Sequence, residues 1–331
     1  MRIAHFAPFA PGRCGLYETT RDMVTLEKRL GHQVELVDVG VEGRRHVGAT
    51  DGDIKTTSYE AVEGFDVFVS HSDVSADFLR RTTAPVVHVM HGRPRSSFLL
   101  QQTQPGKSPV YDLVARWAKD ARYAAFLTLW REHLPFWRVL VPERKLHSTT
   151  APPCDLRRYS SEGPRHEFPD PTKCQVLVAD MWRADADPWH VLHGLMRLDP
   201  KRYQVHVYGA QNPLGPWQHV FRRLRRLGLL GEVKGMMRDF DRVLRSADVL
   251  VTGSDIATRV VREALAVGTP VVGPSGNQFA THEYKALVGI PNAVARALDY
   301  PRFVLLSRFD VGEELIGVYQ RALKSVEVTC A

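Results

Sequence analysis

A chain of 331 residues is long enough for two domains that each bury a core, and 44% hydrophobic with 24% charged content excludes a disordered polypeptide. No run of about 18 apolar residues occurs, so no membrane-spanning helix is expected, and the opening MRIAHFAPFAPG lacks the apolar core of a signal peptide. The formal net charge of +7 is spread over both halves and favours an anionic partner, without choosing among nucleic acid, an anionic membrane surface and nucleotide phosphates. Cys14, Cys154, Cys174 and Cys330 form no CxxC pair, which fits a reduced, cytoplasmic protein without structural zinc.

Taken in order, Arg2 to Ala7 is a short apolar strand, followed by a Pro- and Gly-rich loop from Pro8 to Gly15. Leu16 to Leu30 is expected to be helical, with Leu16, Thr20, Met23, Val24 and Leu30 on one face, and Gly31 closing it. Further strands are expected at Gln33 to Val39, Asp66 to Ser70, Pro85 to Met90 and Ala124 to Thr128. Between Pro152 and Pro171 the composition shifts to Pro, Ser, Gly and charge, as in a linker. The alternation resumes with strand Gln175 to Ala179, helix Trp189 to Leu198, strand Tyr203 to Tyr208 and a basic helix near Trp217 to Leu227, whose arginines read as a solvated face. Two more strand–helix units lead to Pro274, and a last helix is expected at about Val311 to Lys324. Strands separated by helix-length segments predict α/β domains with doubly wound parallel sheets.

The densest chemical signal is VLVTGSDIATRVVREALAVGTPVVGP, where Asp255 and Glu263 lie eight positions apart. An apolar strand (Asp248 to Val251) precedes Asp255, and a helix from about Ala257 to Val267 carries Glu263 two turns deeper before Gly268 stops it. Ligands of open α/β sheets bind beyond the carboxyl ends of strands, where Asp255 would sit. The first turn, with the amides of Thr258, Arg259 and Val260, suits a phosphate.

This segment resembles the carboxylate-x7-carboxylate signature of retaining glycosyltransferases of family four, whose B-type fold has two facing Rossmann-like domains. EALAVGTPVV is similar to the second half of that signature. The opening IAHFAPFAPGRCGLYETTRDMVTLEKRLGHQVELVDV, then VHVMHGRP and KLHSTTAPPCDLRRYS, resemble the family's other landmarks in the right order. WRADADPW and APPCDLRRYS are similar to compact bacterial and bacteriophage members. On this basis residues 1–160 form an acceptor-side domain, 161–172 a linker, 173–308 a nucleotide-sugar-binding domain, and 309–331 a helix packing back on the first domain.

The resemblance implies that Glu263 holds the donor ribose and that Asp255 lies beside the donor sugar and phosphate. Gly15, with Gly12, resembles the glycine pair where backbone approaches the donor, although Arg13 and Cys14 between them are not the usual sequence. His91 ends an apolar strand in a His-Gly pair, a position implied to meet the reacting centre, and His71 is a second acceptor-side candidate. The diphosphate needs preorganised donors, and Arg183, helped by Arg259, is the best cation for it. The family's usual Arg and Lys in that loop fall on Met181 and Ala186, neither of them basic. Glu18 reads as a helix N-terminal acid and Cys14 as a bystander. His190 and His193 share a helix face without further ligands at sensible spacing, so no essential metal and no cofactor are expected.

The leading expectation is a metal-independent retaining hexosyltransferase in the cytoplasm, peripheral at the membrane if its acceptor is there. It would move a sugar from a UDP- or GDP-linked donor to a saccharide or glycolipid hydroxyl. Glycosylation of hydroxymethylated pyrimidines in DNA, in a host cytoplasm if the source is a bacteriophage, remains open. So does a non-catalytic nucleotide-sugar or nucleic-acid binding protein on the same scaffold, which the missing Arg and Lys favour.

Overall fold

A computed structural model describes the chain except at residues 13, 41–44, 59–62, 73–81, 92–93, 95–109, 156, 158, 180–187, 210–217, 236, 238, 300–309 and 331. Its contacts divide it into two compact units, Met1–Asp155 with Arg308–Ala331, and Leu156–Ser307.

The first unit is built on β1 (Arg2–Ala7), β2 (Gln33–Asp38), β3 (Thr50–Asp51), β4 (Ile54–Thr57), β5 (Val67–Ser70), β6 (Val86–Met90), β7 (Tyr123–Thr128) and β8 (Leu146–Ser148). They form one sheet in the order β3-β4-β2-β1-β5-β6-β7-β8, parallel except for the β3–β4 hairpin. The central strands are buried along their whole length, as expected when helices cover both faces. Helices α1 (Gly15–Arg29), α2 (Val110–Lys119) and α3 (Leu134–Trp137) follow in chain order. Helix α1 ends in a Schellman motif: the Gly31 and His32 amides return to the Lys28 and Glu27 carbonyls at 3.0 and 3.2 Å. Gly31 is fit for it, because its φ of 82° is left-handed. Thr20, Met23 and Val24 of the predicted stripe are buried on α1 together with Tyr17 and Leu26; the stripe departs only at its ends, where Leu16 is partly buried and Leu30 is exposed. The terminal helix, Gly312–Cys330, packs on α1 and β7.

The second unit has β9 (Cys174–Val178), β10 (Tyr203–Tyr208), β11 (Leu230–Lys234), β12 (Val249–Val251), β13 (Val271–Pro274) and β14 (His282–Tyr284), all parallel, in the order β11-β10-β9-β12-β13-β14. Helices α4 (Pro188–Leu195), α5 (Gln218–Arg226), α6 (Phe240–Ser246), α7 (Arg259–Ala266) and α8 (Ile290–Leu298) complete it. Val176, Val205, Leu192, Leu224, Val249 and Val294 lie in its core. On α5, Phe221 and Leu224 are buried, while Arg222, Arg223, Arg225 and Arg226 are exposed, the solvated face that the pattern predicts. The Pro-rich stretch after residue 155 is fastened to this unit: Arg245 donates to the carbonyls of Pro164 and Ser160, each at 3.0 Å, and Arg165 to that of Arg245 at 2.8 Å.

Apart from the β3–β4 hairpin both sheets are parallel, as the alternation predicts, and the two units are the Rossmann-like domains that the resemblance implies. Among the described residues no helix is long and apolar enough to cross a membrane.

Candidate functional sites in the two units

In the second unit, β12 stops at Val251 and the chain turns through Thr252–Thr258 before α7. This loop is held from outside. The buried Asn277 donates from Nδ2 to the Ser254 carbonyl at 2.8 Å, and Tyr284 donates to the Thr252 carbonyl at 3.0 Å. The Ser254 amide also reaches Thr252 Oγ1 at 3.0 Å. Asp255 sits exposed at the apex of this pinned turn. Helix α7 begins at Arg259, two residues later than predicted, because the Thr258 amide is committed to the Ile256 carbonyl at 2.8 Å. The phosphate-suited first turn therefore runs from Arg259, and Thr258 is its N-cap.

Glu263 lies one turn further on and is only 3% exposed. A carboxylate so buried needs donors. It has them in Arg259, whose Nε donates to Oε1 from one helical turn away, and in Tyr159, whose hydroxyl donates to the same oxygen at 2.6 Å. Arg259 also reaches the Tyr159 hydroxyl through its second terminal nitrogen at 3.4 Å. Thus Arg259 and Glu263, predicted separately for phosphate and ribose, form one fork, with both contacts on Oε1. Tyr159 was not predicted, since 104 residues separate it from Glu263. Arg183 lies outside the described residues.

In the first unit, the loop before α1 turns at Gly12, where φ is 69°. The Gly12 amide donates to Glu18 Oε1 at 2.6 Å, and Arg21 pairs with Glu18 at 3.0 Å, so Glu18 braces the glycine loop from inside the helix. Gly15 is different. It is exposed, its φ is not left-handed, and a Cβ there would meet nothing within 4 Å. Among the described residues, nothing in this unit's own packing requires a glycine at that position.

The carboxyl ends of β1, β5 and β6 bring three histidines into line. His5, from β1, meets His71, just past β5, with Nδ1 and Nε2 2.8 Å apart. His71 Nδ1 meets Nε2 of His91, just past β6, also at 2.8 Å. At the other end His5 Nε2 lies 2.7 Å from Oε2 of Glu27 on α1, and Tyr319 of the terminal helix donates to Oε1 of the same carboxylate at 2.7 Å. His5, Glu27 and Tyr319 are fully buried. Burial, then the neighbouring His91, His5 and His88, holds the His71 imidazolium far from favourable, so its pKa lies well below the ordinary value. Burial next to Glu27 likewise raises the Tyr319 phenol well above its usual range. His88 is separate: it bonds Ser70 Oγ at 3.2 Å and packs on Trp117, and burial lowers its pKa to about 3. A cavity of about 250 Å³ is lined by His71 and His91 together with Leu16, Met90, Leu113 and Trp117. Its volume is of the order of a small ligand group, below the usual range of whole-ligand pockets.

His190 and His193 are both exposed on α4, and among the described residues no group of three or more His, Cys, Asp or Glu is placed to hold a metal ion.

No protein-family model matches the chain, and no curated protein sequence does. Solved structures do. WaaG, a glycosyltransferase involved in lipopolysaccharide biosynthesis, superposes with a TM-score of 0.62 at 13% identity over 99% of both chains. The lipopolysaccharide outer core galactosyltransferase WaaB gives 0.60 at 11% identity over 100% of both. An α-glucosyltransferase in complex with UDP and a 13-mer DNA containing an HMU base gives 0.62 at 11% identity, over 98% of this chain and 93% of that one. At such identities the shared property is the fold, which is the B-type glycosyltransferase fold of two Rossmann-like domains.

Proposed function

We propose that this protein is a retaining glycosyltransferase of family four that moves a sugar from a UDP- or GDP-linked donor to a hydroxyl of a saccharide or glycolipid. The observation that carries the reading is the Arg259–Glu263–Tyr159 fork on α7, just past the pinned turn that presents Asp255. Oε1 of Glu263 is engaged by protein donors, and Oε2 is the oxygen that would accept from a ribose hydroxyl. The first turn of α7, with Thr258 as N-cap and the Arg259 guanidinium beside it, suits the diphosphate, and Arg183 belongs to the same role. In this reading the leaving diphosphate needs no metal ion, because amides and guanidinium groups stabilise its charge. Asp255 lies against the donor sugar, and His71 and His91 serve the acceptor side. Gly15 supports it: with no internal reason for a glycine among the described residues, a ligand passing close to the backbone supplies one.

The saccharide acceptor draws on the likeness to WaaG and WaaB, one named for lipopolysaccharide biosynthesis and the other for the lipopolysaccharide outer core. A second acceptor reading, hydroxymethylated DNA, is favoured by the net charge of +7, the four exposed arginines of α5 and the likeness to a glucosyltransferase bound to DNA.

A thermal-shift screen against UDP-, GDP- and ADP-sugars tests the donor assignment. A donor at about 100 times its dissociation constant adds roughly 2.7 kcal/mol. A shift for one nucleotide, lost in Glu263→Ala and in Gly15→Ala while both variants keep the unliganded melting temperature within a few degrees, supports the reading. Binding without turnover on lipooligosaccharide or hydroxymethylated DNA, in wild type and Asp255→Ala alike, turns it into the non-catalytic alternative. No shift with any donor overturns it.

A further inference from the structure

The edge hairpin β3–β4 is held in place without the side chain of its acid Asp51. Strand β4 pairs with β2 through Leu36 and Val37, opposite Thr56 and Thr57. The Gly48 and Thr56 amides bond the Thr56 and Ala49 carbonyls at 3.0 and 2.9 Å. Lys28 of α1 donates to the Asp53 carbonyl at 2.7 Å, which ties the hairpin to the helix. The Asp51 carboxylate serves something else. Its Oδ2 receives the Tyr17 hydroxyl at 2.9 Å and Arg21 Nη1 at 3.0 Å. These donors stand four positions apart on α1, one turn above the other, so a single oxygen spans both.

Each donor leads on to the loop before α1. The Tyr17 ring meets the ring of Phe9 edge to face, with centroids 5.2 Å apart, and the Phe9 amide donates to Asp38 Oδ1 at 2.8 Å. On the other side, Arg21 Nη2 lies 3.0 Å from Glu18 Oε2, a charge pair without hydrogen-bond alignment. Glu18 in turn takes the Gly12 amide on Oε1 at 2.6 Å. An aromatic arm and an ionic arm therefore run from Asp51 to two points of the loop, Phe9 and Gly12. Tyr17 and Glu18 are buried, and the side chains of Arg21 and Asp51 are only 13% and 25% exposed, so these charges are weakly screened by water. Between the two acids, the guanidinium relieves their repulsion and fixes both. Burial and the bond to Asp51 raise the Tyr17 phenol above its ordinary range, which keeps its hydroxyl a donor.

We propose that Asp51, with Tyr17 and Arg21, is a positioning residue for the Gly12 loop, acting through Phe9 and Glu18 to hold the backbone in the shape that its ligand meets. That this ligand is a nucleotide sugar rests on the glycosyltransferase reading. The brace does not. A loop already ordered pays no ordering cost when a ligand binds, so the brace acts on affinity and leaves the chemical step alone.

The experiment is hydrogen exchange of the full-length protein, with binding and turnover of UDP-glucose and GDP-mannose measured in parallel. The informative peptide spans residues 8–16 and ends before the Glu18 amide, which α1 bonds to the Cys14 carbonyl. In the wild type this peptide is expected to be protected, and more so with donor bound. Asp51→Ala should speed its exchange about tenfold and raise the donor dissociation constant and donor KM about tenfold, with kcat within about twofold. Asp51→Asn keeps an oxygen that accepts both bonds and should recover most of the protection. Lys28→Met releases the hairpin from α1 without touching either arm, and should behave as the wild type. An unprotected loop peptide in the wild type overturns the proposal, whether or not any variant folds. A folded Asp51→Ala protein with unchanged loop exchange does so too. So does a Lys28→Met protein that loses as much as Asp51→Ala, because the hairpin would then act only as a support for α1. Protection released by Asp51→Ala, in a protein that binds neither nucleotide sugar, supports the brace and removes the donor reading.

Discussion

The two units each contain a glutamate that receives a tyrosine hydroxyl and a histidine nitrogen, yet the surroundings make them different devices. In the first unit Glu27 is fully buried, and beyond His5 the next partner is another imidazole, with no Lys or Arg among the described partners of the carboxylate. In the second, Glu232 takes the Tyr208 hydroxyl, His166 Nε2 at 2.7 Å, and also Lys234 Nζ at 2.7 Å. It retains partial solvent access, its own amide donates to His206 Nδ1 at 3.1 Å, and it ties the segment after residue 155 to β11. A cation beside the carboxylate turns one trio into a clamp; in the other, a second histidine extends it into a line of rings. The same three residue types thus acquire their role from the fourth.

The largest expected effect follows from that contrast. Glu27→Leu strips the acceptor from a buried hydroxyl and a buried imidazole N–H, and should destabilise the first unit by about 3–5 kcal/mol, read from hydrogen exchange of its peptides. The corresponding Glu232→Leu should cost the second unit about 1–2 kcal/mol, since water and Lys234 adjust. Equal costs would erase the distinction.

Acid sharpens the contrast next. His88 and His206 are held neutral by burial, with pKa values near 3 and 4 against an ordinary 6.5. Because the folded values are depressed, their contribution is complete above pH 6.5 and falls away as pH drops toward those values. The slope is about 1.4 kcal/mol per pH unit for each. Glu232, whose pKa falls from 4.5 to about 2 through the hydrogen bonds of Lys234, Tyr208 and His166 against the desolvation of its burial, adds stability above pH 4.5 that is lost between there and pH 2. Denaturant midpoints across pH 7 to 3 should show this lower step in the wild type and not in Glu232→Gln.

The smallest effects are those of the two hydroxyls. Tyr319→Phe and Tyr208→Phe should each cost about 1 kcal/mol by denaturant unfolding. Neither should alter donor binding in the thermal-shift assay.

The alternation of strands and helices was legible because parallel strands buried on both faces are continuous apolar runs, as in VFVS and VVHVM. The β3–β4 hairpin was not, since Thr50–Asp51 and Ile54–Thr57 are short and mostly polar. Nor was β14, whose three residues are His, Glu and Tyr. Asp255 and Glu263 could be paired by their spacing alone because one loop and one helix carry both. Tyr159, Asn277 and Tyr284 act across 104, 23 and 32 residues, and no local pattern encodes such contacts. Glu27 did leave a trace. It falls four positions after Met23, on the apolar face of α1, and an acid there calls for buried partners.

That Tyr319 bonds a residue 292 positions earlier has a consequence for how the protein is made. The second unit is one continuous segment and can close as soon as it leaves the ribosome. The first is completed only by its terminal helix, which packs on α1 and β7 and is encoded after the second unit. Synthesis therefore sets an order in which the later-encoded unit finishes folding before the earlier one, against the usual N-to-C sequence of domain maturation.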